Sequence, residues 1–296
     1  MANSSFCGIF KPASPQAARF ALLGAPYDAG SSFRPGARLA PASIRQMASS
    51  LNACSERGLD LSNLNAVDRG DLPLNNRVKR AFGLIEEEVG FLLDAKIVPV
   101  VLGGDHSVTV PCFKAALARY PKLRLLYFDA HPDLYADFEG DPYSHACVVS
   151  RILELEGASG KRMAQWGIRA STPAQEAAAR KAGMRTVCAW DLAGQTYASD
   201  DPVYVSFDID VLDPSCAPGC GNPVPGGLSM REALNLIHAI KAPIACMDVV
   251  EVNPLLDPSG ISALAAARVA VELVANQVQF ALDREKGETY SEEKSP

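Results

Sequence analysis

Three short segments concentrate side chains able to hold a cation. They are Gly103-Gly104-Asp105-His106-Ser107, Asp129-Ala130-His131-Pro132-Asp133, and Ser206-Phe207-Asp208-Ile209-Asp210-Val211-Leu212-Asp213-Pro214. Carboxylates offer hard oxygen ligands and neutral imidazole adds a borderline nitrogen, so the mixture suits Mn²⁺ better than a thiolate-loving metal. Several carboxylates in one place repel and have raised pKa values unless cations neutralise them. Two divalent ions would relieve that repulsion and also lower the pKa of a shared water. Taken singly, each segment has a blander reading. An Asp after a strand is ordinarily a turn or cap residue, and Gly-Gly is an ordinary turn. The three together are the signal, because three of only four histidines, His106, His131 and His145, fall in or near these loops. His238 lies in a helical run and takes a structural reading.

Each segment follows an apolar run. Strands are expected at Phe20–Leu23, Ile97–Leu102, Leu123–Phe128, Met163–Ile168, Thr186–Cys188, Val203–Phe207 and Ile244–Val250. Helical patterns alternate with them: from Pro41, Asn76 to Asp94, Val108 to Tyr120, Ala146 to Glu156, Pro173–Ala182, Met230–Ile240 and Gly260–Leu282. In the second of these, Val78, Phe82, Ile85, Val89 and Leu92 recur at spacings of three and four, one face of a helix. Alternating β and α elements predict an α/β fold with a mostly parallel sheet and helices on both faces. In such sheets ligands bind at the carboxyl edge of the strands. Alternate residues of an extended chain point the same way, so Asp129, His131 and Asp133 are expected to converge there, as are Asp208 and Asp210.

The whole chain fits an enzyme of this kind. Its 296 residues are 48% hydrophobic and 21% charged, enough for a sizeable core. No linker divides it, so a single domain over 1–296 is expected, with loose ends at 1–18 and 284–296. The net charge of −6 argues against nucleic acid and is compatible with a cationic substrate. The eight cysteines contain no CxxC pair and read as reduced thiols. Met1 to Pro15 lacks a basic stretch followed by an apolar one, and no apolar run approaches a membrane span, so a cytoplasmic protein without membrane contact is expected.

From Gly24 to about Gln279 the chain resembles the ureohydrolase family, the arginases, agmatinases and their relatives. The three ligand segments carry the resemblance. It implies a three-layer α/β/α fold, a binuclear site loaded with two Mn²⁺, and commonly a trimeric or hexameric homo-oligomer. It assigns His106, Asp129, Asp133 and Asp208 to one metal and His131, Asp129, Asp208 and Asp210 to the other, with Asp129 and Asp208 bridging. It gives Asp133 a further role in proton relay. Glu251, in Asp248-Val249-Val250-Glu251-Val252-Asn253-Pro254, matches the position that grips a guanidinium, and His145 the position proposed to shuttle protons. Asp213 matches no ligand and is expected to support its loop.

Within the family, Gly24-Ala25-Pro26-Tyr27-Asp28 and Arg34-Pro35-Gly36-Ala37-Arg38 resemble agmatinases, as do Ala217-Pro218-Gly219 and Gly226-Gly227-Leu228. A recognition set for the α-amino and α-carboxylate groups of arginine has no clear match. The implied reaction is hydrolysis of agmatine to urea and putrescine, a step of polyamine biosynthesis. Two departures stand out: Ala146 follows His145 where many relatives have Gly, and Gly219-Cys220-Gly221-Asn222-Pro223 replaces the usual Gly-Thr-Gly-Thr-Pro. Guanidinobutyrate, aminopropylagmatine, arginine and formimidoylglutamate stay open as substrates. Outside the class stand a single-zinc deacetylase, against which the paired Asp208 and Asp210 argue, and a non-catalytic polyamine-binding homologue, which would have lost ligands.

Overall fold

The computed structural model describes residues 6–11 and 18–287. Ten strands are found among them: β1 (Phe20–Gly24), β2 (Ala66–Asp71), β3 (Val98–Leu102), β4 (Arg124–Phe128), β5 (Met163–Ile168), β6 (Arg185–Cys188), β7 (Tyr197–Ala198), β8 (Val203–Asp208), β9 (Ile240–Lys241) and β10 (Ile244–Val250). Seven α-helices accompany them: α1 (Ala40–Ala48), α2 (Val78–Asp94), α3 (Thr109–Arg119), α4 (Val148–Leu153), α5 (Pro173–Ala182), α6 (Met230–His238) and α7 (Ile261–Glu285). The main sheet has eight strands in the order β2-β1-β3-β10-β8-β4-β5-β6, and every pair in it is parallel.

Period-two alternation sends the strands' apolar side chains to two separate cores. Leu22, Leu102, Leu126 and Phe128 pack with residues of α1, α6 and α7 on one face. Leu23, Val101, Leu125 and Tyr127 pack with residues of α2, α3, α4 and α5 on the other. The result is the expected helix–sheet–helix sandwich. The central strands are buried on both sides, which is why they read as unbroken apolar runs.

Strand order decides where the site can form. After β3 the chain crosses to β4, and β8 and β10 later fill the gap between them. The carboxyl ends of β3, β10, β8 and β4 therefore lie side by side, and their loops carry His106, Glu251, Asp208 and Asp129.

Several elements differ from expectation. β2 was not expected, because Ala66–Asp71 is half polar; it is an edge strand with one side exposed. The helix expected over Ala146 to Glu156 is one 3₁₀ turn, His145–Cys147, followed by the shorter α4. The helix expected from Met230 ends at His238, and Ile240 pairs instead with Tyr197. The loose ends expected at 1–18 and 284–296 lie largely outside the described residues. Where 6–11 is described it is packed: Phe6, Ile9 and Phe10 are fully buried, the two phenyl rings meet edge to face, and Lys11 bridges to Val67. The apolar side chains of this segment have a core to enter, which its sequence position alone hides. Arg284 and Glu285 still belong to α7. That helix is long and apolar enough to cross a membrane by length and composition, contrary to the expectation from the sequence, but 78% of its most apolar stretch is buried inside the protein.

Gly103 and Gly104 do more than turn the chain after β3. A Cβ on Gly104 would sit 1.6 Å from the Tyr27 carbonyl oxygen, and one on Gly103 would meet Val250 at 2.5 Å. The Tyr27 carbonyl accepts from Asp105 N–H at 2.8 Å, and the Gly104 carbonyl accepts from Glu251 N–H at 2.9 Å. Glycine lets three backbones approach, and that approach sets the position of His106. Gly104→Ala is expected to destabilise the fold by about 2 kcal/mol or more, as overpacking does, and to weaken metal uptake. Urea denaturation with metal analysis checks this; wild-type stability would show that the loop has slack.

Candidate metal centre

His106 stands at the start of a 3₁₀ turn opened by Asp105, whose carboxylate accepts from the Ser107 N–H. Its Nδ1 lies 2.9 Å from Asp208 Oδ2, 3.1 Å from Asp129 Oδ2 and 3.6 Å from Asp133 Oδ2. His131 Nδ1 lies 2.9 Å from Asp210 Oδ2 and 3.4 Å from Asp129 Oδ1. Asp129 thus faces both imidazoles. Two tight donor groups result, His106–Asp129–Asp208 and Asp129–His131–Asp210, and they share Asp129.

The expected convergence occurs, but simple strand alternation does not produce it. The chain leaves β4 at Phe128, and Asp133 adopts φ +49°. Asp210 sits inside a 3₁₀ turn, Ile209–Val211, capped by Asp208. Local hydrogen bonds aim the carboxylates: Asp129 Oδ1 accepts from His131 N–H, Asp208 Oδ1 from Asp210 N–H, and Asp210 Oδ1 from Ala130 N–H. Arg169 fastens the same loop from behind, donating to the carbonyls of Asp210 and Val224.

Asp133 stands slightly apart. Its Oδ2 accepts from the Tyr127 hydroxyl at 2.6 Å, and it belongs to neither tight group. Cys220 forms a third group with Asp208 and Asp210; its thiol is buried at the pocket wall. From the sequence alone Cys220 reads as an ordinary reduced thiol. The replacement of the usual Thr in its loop was the available signal.

The residues fit a cation. Asp129, Asp208 and Asp210 are each 3% exposed or less. Burial, with the neighbouring carboxylates, pushes the pKa values of Asp208 and Asp210 up. Burial and Asp129 push that of Asp133 up to about 8. No Lys or Arg lines the pocket above them. Asp129 Oδ2 is buried and accepts no hydrogen bond. A buried carboxylate oxygen without a donor is unfavourable unless a cation meets it.

A supporting layer, not foreseen from the sequence, fixes His106. The Ser206 hydroxyl donates to Asp248 Oδ1 at 2.7 Å and lies 2.8 Å from His106 Nε2. Thr109 and Tyr204 donate to the other Asp248 oxygen. With its proton committed to Asp248, Ser206 accepts from Nε2–H. The neutral ring then presents a bare Nδ1 to the carboxylates, the tautomer that a metal needs.

Glu251 ends β10 with φ +67°. Its Oε1 accepts from His106 N–H at 2.7 Å and pairs with His145 Nδ1 at 2.8 Å. Burial opposes protonation of His145, but Glu251 outweighs it and raises the pKa to about 9. His145 Nε2 faces the Ser32 hydroxyl at 2.8 Å. His106, Asp129, His131, Asp133, Asp208, Asp210, His145 and Glu251 all line one pocket of about 210 Å³, whose outer wall adds Ser32, Tyr135, Phe138, Gln175 and Asn222. Asp213 and His238 lie outside it. Asp213 accepts from Ser215, Gly226 and Gly227, supporting its loop as expected. His238 sits between Glu56 and Glu272.

Comparison with known proteins places this architecture. Residues 18–275 match the arginase family. The mitochondrial arginase of Medicago truncatula is 38% identical over 88% of this chain and 82% of its own length. The agmatinase of Bacillus subtilis is 35% identical over 86% and 90%. The solved structure of proclavaminate amidino hydrolase from Streptomyces clavuligerus superposes with a TM-score of 0.86 at 32% identity, covering 95% of this chain and 98% of that one. In sequence, in fold and in the acid-rich pocket at the edge of its parallel sheet, this chain belongs to the arginase family.

Proposed function

We propose that the protein hydrolyses a guanidino compound to urea and an amine with two Mn²⁺ ions, and that agmatine, giving putrescine, is preferred to arginine. One observation carries the reading. Two buried Asp/His donor groups share Asp129 at the floor of a pocket whose wall supplies Glu251 and no fixed cation. His106, Asp129, Asp133 and Asp208 would hold one ion, and His131, Asp129, Asp208 and Asp210 the other. Bound there, the ions would make water acidic enough to act as a nucleophile near neutral pH.

The chain's own groups do the rest. A guanidinium is planar and resonance-stabilised, so it must be aimed before it reacts. Glu251, buried and ionised, supplies a charge-assisted acceptor for it. Asp133 can take the proton released from the attacking water and give it to the leaving amine, with Tyr127 steadying its carboxylate. His145, between Glu251 and Ser32, offers a route for protons towards solvent. Hydrolysis in a reducing, cytoplasmic compartment fits eight cysteines that are all free thiols.

The preference for agmatine rests on the pocket wall. Arginine's α-carboxylate would call for Lys or Arg, and neither lines the pocket. Arginine stands as a second reading because of the 38% identity to a plant arginase. Urea release measured on both substrates is expected to give a higher kcat/KM for agmatine; the reverse ranking would establish the arginase reading.

Stripping the metal with a chelator is expected to abolish urea release and lower the melting temperature, since ions that bind only the folded chain stabilise it and their loss returns the carboxylate repulsion. Two Mn²⁺ per chain should restore both properties. Full activity with one zinc and no gain from Mn²⁺ would refute the binuclear reading. Asp210→Asn should lose one ion and nearly all turnover while the fold survives, because an amide removes repulsion as well as charge.

Glu251→Gln separates aiming from support. The amide oxygen can still accept from His106 N–H, so the loop and the metals should persist. The loss of charge should lower kcat/KM by on the order of 2–4 kcal/mol, partly through kcat. Near wild-type kinetics with unchanged melting would remove Glu251 from the substrate site.

A further inference from the structure

The stretch between Asp133 and His145 is a built element. Phe138 and Asp141 exchange both backbone hydrogen bonds, at 3.1 and 3.0 Å. Glu139 and Gly140 between them have φ +54° and +84°, the pattern of a tight type I′ turn. The Asp137 side chain accepts from Gly140 N–H and that of Asp141 from Tyr143 N–H. Tyr135 N–H donates to the Ala146 carbonyl. Tyr143 packs on Phe82, which packs on Tyr27. The turn is therefore fastened at both ends and to the body of the protein.

This element presents Tyr135 and Phe138 to the catalytic pocket as an edge-to-face pair with ring centroids 5.3 Å apart. Both are half-buried, whereas Asp137, Glu139 and Asp141 beside them are exposed. The lip thus combines aromatic rings with negative charge, and among the described residues no Lys or Arg lines the pocket. No acidic side chain lines the pocket except those already engaged at its floor: Asp129, Asp133, Asp208, Asp210 and Glu251. The far end of a substrate whose guanidinium sits at Glu251 has no carboxylate inside the pocket to pair with.

We propose that Tyr135 and Phe138 form the specificity element for the far end of the substrate, holding a distal ammonium against their ring faces while the carboxylates of the turn favour its approach. The proposal rests on the guanidino-hydrolase reading and adds the means by which the substrate's tail is chosen. An ammonium is attracted to an aromatic face by the ring quadrupole, and the attraction grows as water is excluded. A carboxylate tail meets the same faces with repulsion. Acidic residues at the rim act at longer range and lose their influence in salt.

The test compares agmatine with pentylguanidine, in which a methyl replaces the distal ammonium at nearly the same length. The wild-type protein loaded with Mn²⁺ should prefer agmatine by about tenfold in kcat/KM, the scale of a partly desolvated cation–π contact. Phe138→Leu and Tyr135→Leu keep apolar bulk and remove a ring face. Each should bring the ratio towards one, chiefly through the KM for agmatine, with metal content and melting temperature little changed. Variants that retain the wild-type ratio would overturn the proposal. If neither compound releases urea from the wild type, guanidino hydrolysis fails. The ratio of dissociation constants for the same two compounds, by calorimetry on wild type and variants, then still decides the aromatic selectivity.

Discussion

The arrangement that governs this protein is the crowding of carboxylates at the carboxyl edge of a buried sheet. Asp129, Asp133, Asp208 and Asp210 are nearly inaccessible to water, and among the described residues the basic groups paired with them are His106 and His131. Bringing like charges together in a poorly solvated place is unfavourable by itself. The cluster persists because neighbouring elements over-determine it: backbone N–H groups cap its oxygens, and two imidazoles pack against it. A divalent cation resolves what those groups only moderate. The fold and the proposed metal chemistry are linked through this one electrostatic problem.

The surrounding layers answer it in different ways. Asp248 acts through Ser206 to fix the tautomer of His106, so the ring meets the carboxylates with its acceptor nitrogen. Arg169 lies behind the cluster's floor, yet it donates to backbone carbonyls and makes no ion pair with the carboxylates. Had that guanidinium turned to Asp210, part of the cluster's negative charge would be compensated by the protein itself. Glu251 joins both halves of the pocket, gripping the His106 backbone and the His145 ring with one oxygen. A change at Glu251 is therefore felt at the His106 backbone and at the His145 ring alike.

The layered sheet was legible because its central strands are unbroken apolar runs and its helices are periodic. β10 and β5 begin and end where the sequence puts them. The ligand set was legible because rare residue types cluster after those strands. What the sequence hid was long-range. Asp248 and Ser206 look like ordinary polar positions within strands, and only the pairing of β8 with β10 brings them together. Phe6 and Phe10 lie at a terminus, and only the folded core shows a place for them. Strand alternation predicts the convergence of the carboxylates, but turns rather than extended chain bring Asp133 and Asp210 inward.

Those turns carry strain at informative places. Among the described residues, few non-glycine positions have positive φ, and Asp133 and Glu251 are two of them. Asp tolerates the left-handed region better than Glu does, and each such residue is unfavourable by roughly 1–3 kcal/mol unless its surroundings compensate. Here they do. The Asp133 carbonyl accepts from the Val149 and Ser150 N–H groups of α4, and the Glu251 N–H donates to Gly104. A glycine at either position would relieve the backbone and remove the carboxylate. Asp133 lies in the loop after β4 and Glu251 directly follows β10, and both side chains line the pocket. The strain, the glycine-permitted approach at Gly104 and the crowded carboxylates are consequences of one demand: acidic side chains from the ends of β4, β8 and β10 must meet His106, beyond β3, within a few ångströms.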